Sequence, residues 1–168
     1  RHAPAFIALP ANFDPARSGT VAVYGNRVYV GTLNGTLLAL DRRTGERAFE
    51  VQTLSARLSG APLGARGRIV VGLSWLERGA VQAFDAETGK LAWTWYTIPS
   101  PEEGGWWGEW VETIPGTKIG LDRNIGEEKA QQASFADAWK TGGAASPMTP
   151  SFDGVRGLVY VSTGGPDP

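Results

Sequence analysis

The sequence predicts an all-β fold, a partial β-propeller of four-stranded antiparallel blades interrupted by a long Trp-rich insertion that carries a short helix. Three observations predict it. One segment design occurs twice, 44 residues apart, and a blade typically takes about 40–45 residues. The apolar runs are short and end in Gly. Gly and Pro are abundant, at 23 and 11 of 168 residues, and seven residues are Trp. Closely spaced turns between short strands follow from that composition.

The two copies read GNRVYVGTLNGTLLALDRRTGERAFEV over residues 25–51 and GRIVVGLSWLERGAVQAFDAETGKLAWTW over residues 67–95. Each has a β run ending in Gly, a turn, a second β run, an Asp, a Thr-Gly turn and an aromatic residue. Asp41, Thr44 and Gly45 of the first copy answer to Asp85, Thr88 and Gly89 of the second. Asn34-Gly35 favours a hairpin turn between the first two runs. Val28, Val30, Leu38 and Leu40 alternate with their neighbours as one buried face would. Asp41 and Asp85 sit at repeat positions, so they are turn-formers, with side-chain oxygens for turn amides, and not an acid/base couple. Trp93 offers a large flat group for packing between adjacent blades. A third copy begins at Gly157 with GLVYVSTGG. Strands are expected at 20–24, 27–32, 36–41, 69–72, 80–85 and 158–162. The chain is read as one partial propeller domain, residues 1–168. Blade-like repeats cover about 20–56 and 57–96, the insertion 97–143, and the start of the next blade 144–168.

The insertion opens TIPSPEEGGWWGEW, with Trp106, Trp107 and Trp110 expected to pack beneath a long loop. Ala, Gln, Glu and Lys favour a short helix from about Ile125 to Lys140, with Phe135 and Trp139 on one face at i, i+4 spacing. A loop of this length within a compact repeat is usually functional or an interface.

Composition excludes several function classes. The net charge of −1 gives no electrostatic case for nucleic acid or an anionic membrane. There is no Cys, and His2 is the single His. Disulfides, thiol nucleophiles, His-based metal sites and Ser-His-Asp triads are therefore excluded. No apolar stretch is long enough to span a bilayer, and no signal peptide is visible. The first residue is Arg, so the chain is expected to be cut from a longer one.

The stretch AFDAETGKLAWTWYTIPSPEEGGWWGEW, then DRNIGEEKA, then DAWKTGGAASPMTPSFDGVRGLVYVSTGGPDP, resembles the pyrroloquinoline quinone (PQQ) dependent alcohol dehydrogenases. It is most similar to the soluble or periplasmic quinoproteins with an eight-bladed propeller, in their N-terminal blades. The resemblance runs from about Asn12 to the last residue. Ala83–Trp93 matches a blade motif general to PQQ-type propellers, while YTIPSPEEGGWWG followed by DAWKTGG is specific to the dehydrogenases. The resemblance implies oxidation of an alcohol or sugar, with Ca²⁺ polarising the quinone, an Asp base and an external electron acceptor, in the periplasm. It places Glu77 of GLSWLE at the Ca²⁺-binding Glu, with about three residues missing before Arg78-Gly79. It places Ser59 of SGAP at a hydroxyl that touches the quinone, and Arg17, offset by a residue or two, near a PQQ-contacting Arg.

Other positions depart from the family. Asn12-Phe13 stands where adjacent Cys residues lie against the cofactor. Pro147 replaces the Trp floor beneath the PQQ ring, and Gly165 replaces a Ca²⁺-binding Asn. The catalytic Asp would lie beyond Pro168. The resemblance therefore implies a fragment of a PQQ- and Ca²⁺-dependent dehydrogenase, inactive as this chain alone. The alternative is a non-catalytic PQQ-type propeller scaffold. Fewer than three blades leave sheet edges without neighbours, so the missing blades, or self-association, are the expected partners.

Overall fold

The computed structural model describes residues 18–55, 57–74, 77–104, 112–114 and 116–164. Two four-stranded antiparallel sheets and one hairpin follow one another along the chain. The first sheet holds β1 (Ser18–Tyr24), β2 (Arg27–Thr32), β3 (Thr36–Asp41) and β4 (Arg47–Gln52), in that spatial order. The second holds β5 (Leu63–Ala65), β6 (Arg68–Gly72), β7 (Ala80–Asp85) and β8 (Leu91–Tyr96) in the same order. The hairpin pairs β9 (Ser151–Asp153) with β10 (Leu158–Tyr160). Each sheet is a meander because short turns join neighbours antiparallel.

The turn chemistry is local and repeated. Asp41 Oδ1 accepts the amides of Arg43 at 2.8 Å and Thr44 at 2.9 Å. Asp85 Oδ1 accepts the amides of Glu87 at 3.1 Å and Thr88 at 3.0 Å, and the Thr88 hydroxyl at 2.9 Å. Both carboxyls sit below the usual carboxylate range, Asp41 chiefly through the Thr44 amide and Asp85 chiefly through the Thr88 hydroxyl. They build turns. Even the irregularities repeat, since β4 shifts register beside Ala39 and β8 shifts beside Ala83.

β2 and β3, the central strands of sheet 1, are buried on both faces, which corrects the one-face reading of their alternation, while Val21 and Val23 of β1 are exposed. Val28, Val30, Leu38 and Leu40 form one cluster. The intervening Tyr29, Leu37 and Ala39 form the core with Ile69, Val71 and Phe84 of the second sheet. A sheet stacked in a series has no solvent face at its centre, so its strands lose the polar alternation of a half-exposed sheet. Gly35 at the β2–β3 turn has φ +79°, and an added Cβ would lie 1.7 Å from the Ser55 carbonyl oxygen. A side chain is excluded there by conformation and by space.

The helix over 125–140 is also corrected. α1 spans Ile125–Gln131, capped by the Asn124 side chain, which accepts the Glu127 amide at 3.2 Å. Two 3₁₀ turns, Gln132–Phe135 and Ala138–Lys140, replace its second half. α1 buries no residue, so no packing extends it, and Ser134 and Asp137 favour turns over helix. Trp139 therefore does not follow an α-helical i, i+4 spacing from Phe135. Its ring lies 4.8 Å from the Arg78 guanidinium. No helix among the described residues is long and apolar enough to cross a membrane.

Candidate functional site

Three loop segments meet at the end of the sheets where β2 leads to β3 and β6 leads to β7. They are 57–62, 73–74 with 77–79, and 143–149. The first two are tied by a bridge between Arg57 and Ser74, and the Ser55 hydroxyl reaches the Arg57 carbonyl at 2.8 Å and also the Ser74 carbonyl. The third lies along both. Ser146 N–H donates to the Leu73 carbonyl at 3.0 Å, Gly143 N–H to the Glu77 carbonyl at 2.9 Å, and Gly79 N–H to the Gly143 carbonyl at 2.7 Å. Ala61 N–H donates to Thr149 Oγ1 at 2.7 Å.

Glycine makes this seam possible. A Cβ on Gly60 would lie 2.5 Å from the Met148 carbonyl carbon, one on Gly72 2.2 Å from the Ser146 oxygen, and one on Gly79 2.0 Å from the Ala144 oxygen. Real Cβ atoms do not approach backbone so closely, so each position admits the 143–149 segment because it carries no side chain. The sequence reading missed all three. Their signal was a Gly ending a β run in VVGL, or standing before one in SGAP and RGA.

The structure brings two of the sequence-derived site residues to this seam. Ser59 is exposed on its rim, and its Oγ accepts the Ser74 hydroxyl at 3.1 Å. Glu77 is exposed one residue before the clamp described below, with its carbonyl in the seam. Its carboxylate has no hydrogen-bond or ion-pair partner among the described residues. Pro147 is half-buried in the third segment, beside Ser146, whose buried hydroxyl finds no partner among the described residues. Arg17, Asn12-Phe13, the three insertion Trp residues and Gly165 lie outside the described residues.

Arg78 does not accompany Glu77. Its side chain, 15% exposed, pairs with the Glu103 carboxylate. Its Nε donates to the Ile98 carbonyl at 2.9 Å, and its guanidinium lies 3.7 Å from the Tyr96 ring centroid. With Trp139 on the same guanidinium, one Arg holds both the start and the end of the insertion against sheet 2. A stacked planar cation with a carboxylate partner is a strong clamp. Glu103 also accepts the Ser100 amide at 2.9 Å, and that bond, with Arg78, holds its carboxyl below the usual range.

No group of three or more His, Cys, Asp or Glu is placed to bind a metal among the described residues. Ca²⁺ takes about six to eight oxygen ligands, and Glu77 supplies one carboxylate.

The family described as "Outer membrane protein assembly factor BamB" matches residues 8–104. The quinohemoprotein alcohol dehydrogenase ADH IIB of Pseudomonas putida is 35% identical over 156 residues, covering 88% of this chain and 20% of that protein. The solved structure of quinohemoprotein alcohol dehydrogenase ADHIIG from Pseudomonas putida HK5 is 34% identical with a TM-score of 0.63, covering 87% of this chain and 20% of that one. A europium-containing methanol dehydrogenase is 25% identical with a TM-score of 0.65, covering 87% and 25%. The chain thus spans about a fifth of the length of the curated relatives it matches.

Proposed function

The chain belongs to the quinoprotein alcohol dehydrogenase family of PQQ-type β-propellers, and we propose that it supplies two consecutive blades and the start of a third to the cofactor-bearing end of such a propeller. The observation that carries this reading is the glycine seam. It packs the 143–149 segment against the loops of Ser59 and Glu77, so the residues likened to quinone and metal contacts share one rim. Ser59 offers a hydroxyl to a quinone oxygen, and Glu77 offers an unpaired carboxylate to a cation. Arg17 is assigned to the quinone as well. The reaction served is oxidation of an alcohol or sugar by PQQ with electrons passed to an external acceptor, in the periplasm. The redox chemistry belongs to the cofactor, and this chain's share is position and charge.

Alone, the chain does not turn over substrate. Glu77 is one ligand where calcium needs several. Pro147 presents no π face to a ring, and among the described residues the seam offers no general base besides the Glu77 assigned to the cation. Loss of a base typically removes about 10²–10⁴ in rate. A dye-linked assay with ethanol, glucose and longer alcohols, with added PQQ and Ca²⁺, tests this. The expected result is the cofactor-only blank, and turnover above that blank overturns the reading. A parallel titration followed by Trp fluorescence reads the site itself. Quenching by PQQ that depends on Ca²⁺ and is lost in Glu77→Gln supports the assignment of Ser59 and Glu77.

A second reading is a non-catalytic PQQ-type propeller scaffold, which Pro147 favours. It expects no Ca²⁺-dependent quenching at all.

A further inference from the structure

Glu77 and Arg78 are neighbours in sequence with opposite surroundings. β6 ends at Gly72 and β7 begins at Ala80, so residues 77–79 lie outside the ladder of sheet 2. Their backbone is held instead by Gly143, which pairs with Arg78 in a parallel bridge. Gly143 N–H donates to the Glu77 carbonyl at 2.9 Å and Gly79 N–H to the Gly143 carbonyl at 2.7 Å, so the two bonds bracket Arg78. Thr97 N–H adds one bond to the Gly79 carbonyl at 2.9 Å. Two of the participants are glycines, with Gly143 at φ +68°, and glycine has the most backbone freedom to lose. A few backbone bonds across two glycines give this stretch little rigidity of its own.

The Arg78 side chain supplies what the backbone lacks. Its guanidinium stacks on Tyr96 at the end of β8, donates through Nε to the Ile98 carbonyl, pairs with Glu103 and faces Trp139. Glu103 is itself fixed, because it accepts the Ser100 amide while Ser100 Oγ accepts the Glu103 amide at 3.3 Å. A side chain locked on several sides fixes the Cα it grows from, and that Cα is the next one along the chain from Glu77. The Glu77 carboxylate has no partner among the described residues, so no contact of its own aims it. Glu103 takes the guanidinium in place of Glu77, which leaves the Glu77 charge to a ligand. Ser59 is anchored elsewhere. It accepts the Ser74 hydroxyl, and Ser74 bridges Arg57, so Ser59 is tied to the β6 end of the β6–β7 connection and Glu77 to the insertion.

We propose that Arg78 is a positioning residue: through it the insertion, at Ile98, Glu103 and Trp139, sets where the Glu77 carboxylate stands relative to Ser59. This rests on the proposed function only in taking Ser59 and Glu77 as the ligand-bearing pair. Groups that act together on one ligand must keep their geometry to about 0.5 Å. A carboxylate on a glycine-flanked loop does not keep it unaided, and the guanidinium next to it does.

The chain has no Cys, so Ser59→Cys with Glu77→Cys places two nitroxide labels on the rim. Ser59→Cys with Lys90→Cys places a reference pair, since Lys90 is exposed at the turn before β8. Dipolar EPR reads both distances. The 59–77 distribution is expected to be narrow, and Arg78→Gln to broaden it about twofold because the contact that locks residue 78 is lost. The 59–90 distribution should not change. Hydrogen exchange over 98–104 and 138–143 should rise severalfold in the same variant. Raised exchange with an unchanged 59–77 distribution overturns the proposal, because Arg78 then holds only the insertion. A 59–77 distribution already broad with Arg78 in place overturns it too. If Arg78→Gln broadens both pairs, sheet 2 itself has loosened, and Glu103→Gln, which keeps the stacking on Tyr96 and Trp139, decides. Broadening of the 59–77 pair alone in that variant supports the proposal, and any other result overturns it. No cofactor enters these measurements. The dye-linked assay and the PQQ titration decide the dehydrogenase reading separately, so either can fail without the other.

Discussion

Phe49 and Trp93 occupy the same place in two successive sheets, on the fourth strand opposite an alanine. Phe49 packs at the edge of the main core, with the Arg27 guanidinium 5.5 Å from its ring centroid and the Gly89 turn beneath it. Trp93 has nearly half of its surface in water. The sequence design is the same and the environment opposite. Sheet 1 has a full neighbour on that face, while sheet 2 faces a two-stranded hairpin. Burial in a stack of repeats is therefore a property of the next repeat, not of the residue. An aromatic motif marks where a neighbour belongs, and its free energy is gained where the neighbour is present.

Mutations at the two positions test that difference most strongly. Phe49→Ala is expected to destabilise the chain by about 2–3 kcal/mol, below the range for a wholly buried Phe because the ring is partly exposed. Trp93→Ala is expected to cost less than about 1 kcal/mol despite the larger ring, as surface substitutions do. Urea unfolding of both variants measures it, and equal losses would break the comparison.

Glycines in the two settings should separate next. Gly89→Ala meets both a positive φ of +72° and the Phe49 ring, whereas Gly25→Ala meets φ +58° with nothing within 4 Å. The first should cost about 2–3 kcal/mol and the second about 1 kcal/mol, since strain alone operates at Gly25. Thermal melts of the two variants compare the terms.

Tyr29→Phe removes the buried hydrogen bond to Ala86 while keeping the ring. A loss of about 1 kcal/mol is expected, the net worth of one such bond, because the Ala86 carbonyl keeps the Arg27 guanidinium as a donor. Chemical denaturation at neutral pH measures it. Burial raises the Tyr29 phenol above its ordinary value, so the bond stays protonated throughout that range.

The smallest effect concerns pH. Asp41 and Asp85 have lowered pKa values in the folded chain, so each stabilises it above the unfolded value near about 4. That contribution is lost as pH falls through the lower folded value. The urea midpoint should fall as pH drops below about 4, and Asp85→Asn should flatten that slope more than Asp41→Asn. The reason is that Asp85 holds the Thr88 hydroxyl and Arg68 besides its amides. A slope unchanged in both variants would show that the turns contribute nothing to acid unfolding.

Much of the fold was legible before any coordinates. β2, β3 and β7 have the bounds their residue patterns predict, and β1 and β6 differ by two residues or fewer, because hairpin turns such as Asn34-Gly35 set strand ends locally. The third unit was legible in β10, though its first strand, Ser151–Asp153, is three residues long and has no pattern to read. The 125–140 helix was overread, since propensity alone does not hold a helix with nothing to bury. At the site, Ser59 and Glu77 were reached through family resemblance and not through chemistry, as neither has a distinctive local pattern. Arg78, Tyr96, Glu103 and Trp139 form a clamp from residues up to about sixty positions apart, which no local motif announces.

By itself the sequence determined the repeat, the turn chemistry of Asp41 and Asp85, and the absence of any thiol. Each of these depends on neighbours within a few residues or on composition alone. Tertiary structure alone decided that Gly60, Gly72 and Gly79 must lack a Cβ, that Arg78 holds the insertion while Glu77 faces solvent, and that Phe49 is covered while Trp93 is not. Those outcomes depend on backbone brought in from distant parts of the chain, as Met148 is to Gly60. A contact at such separation leaves no periodicity in the sequence from which it could be read.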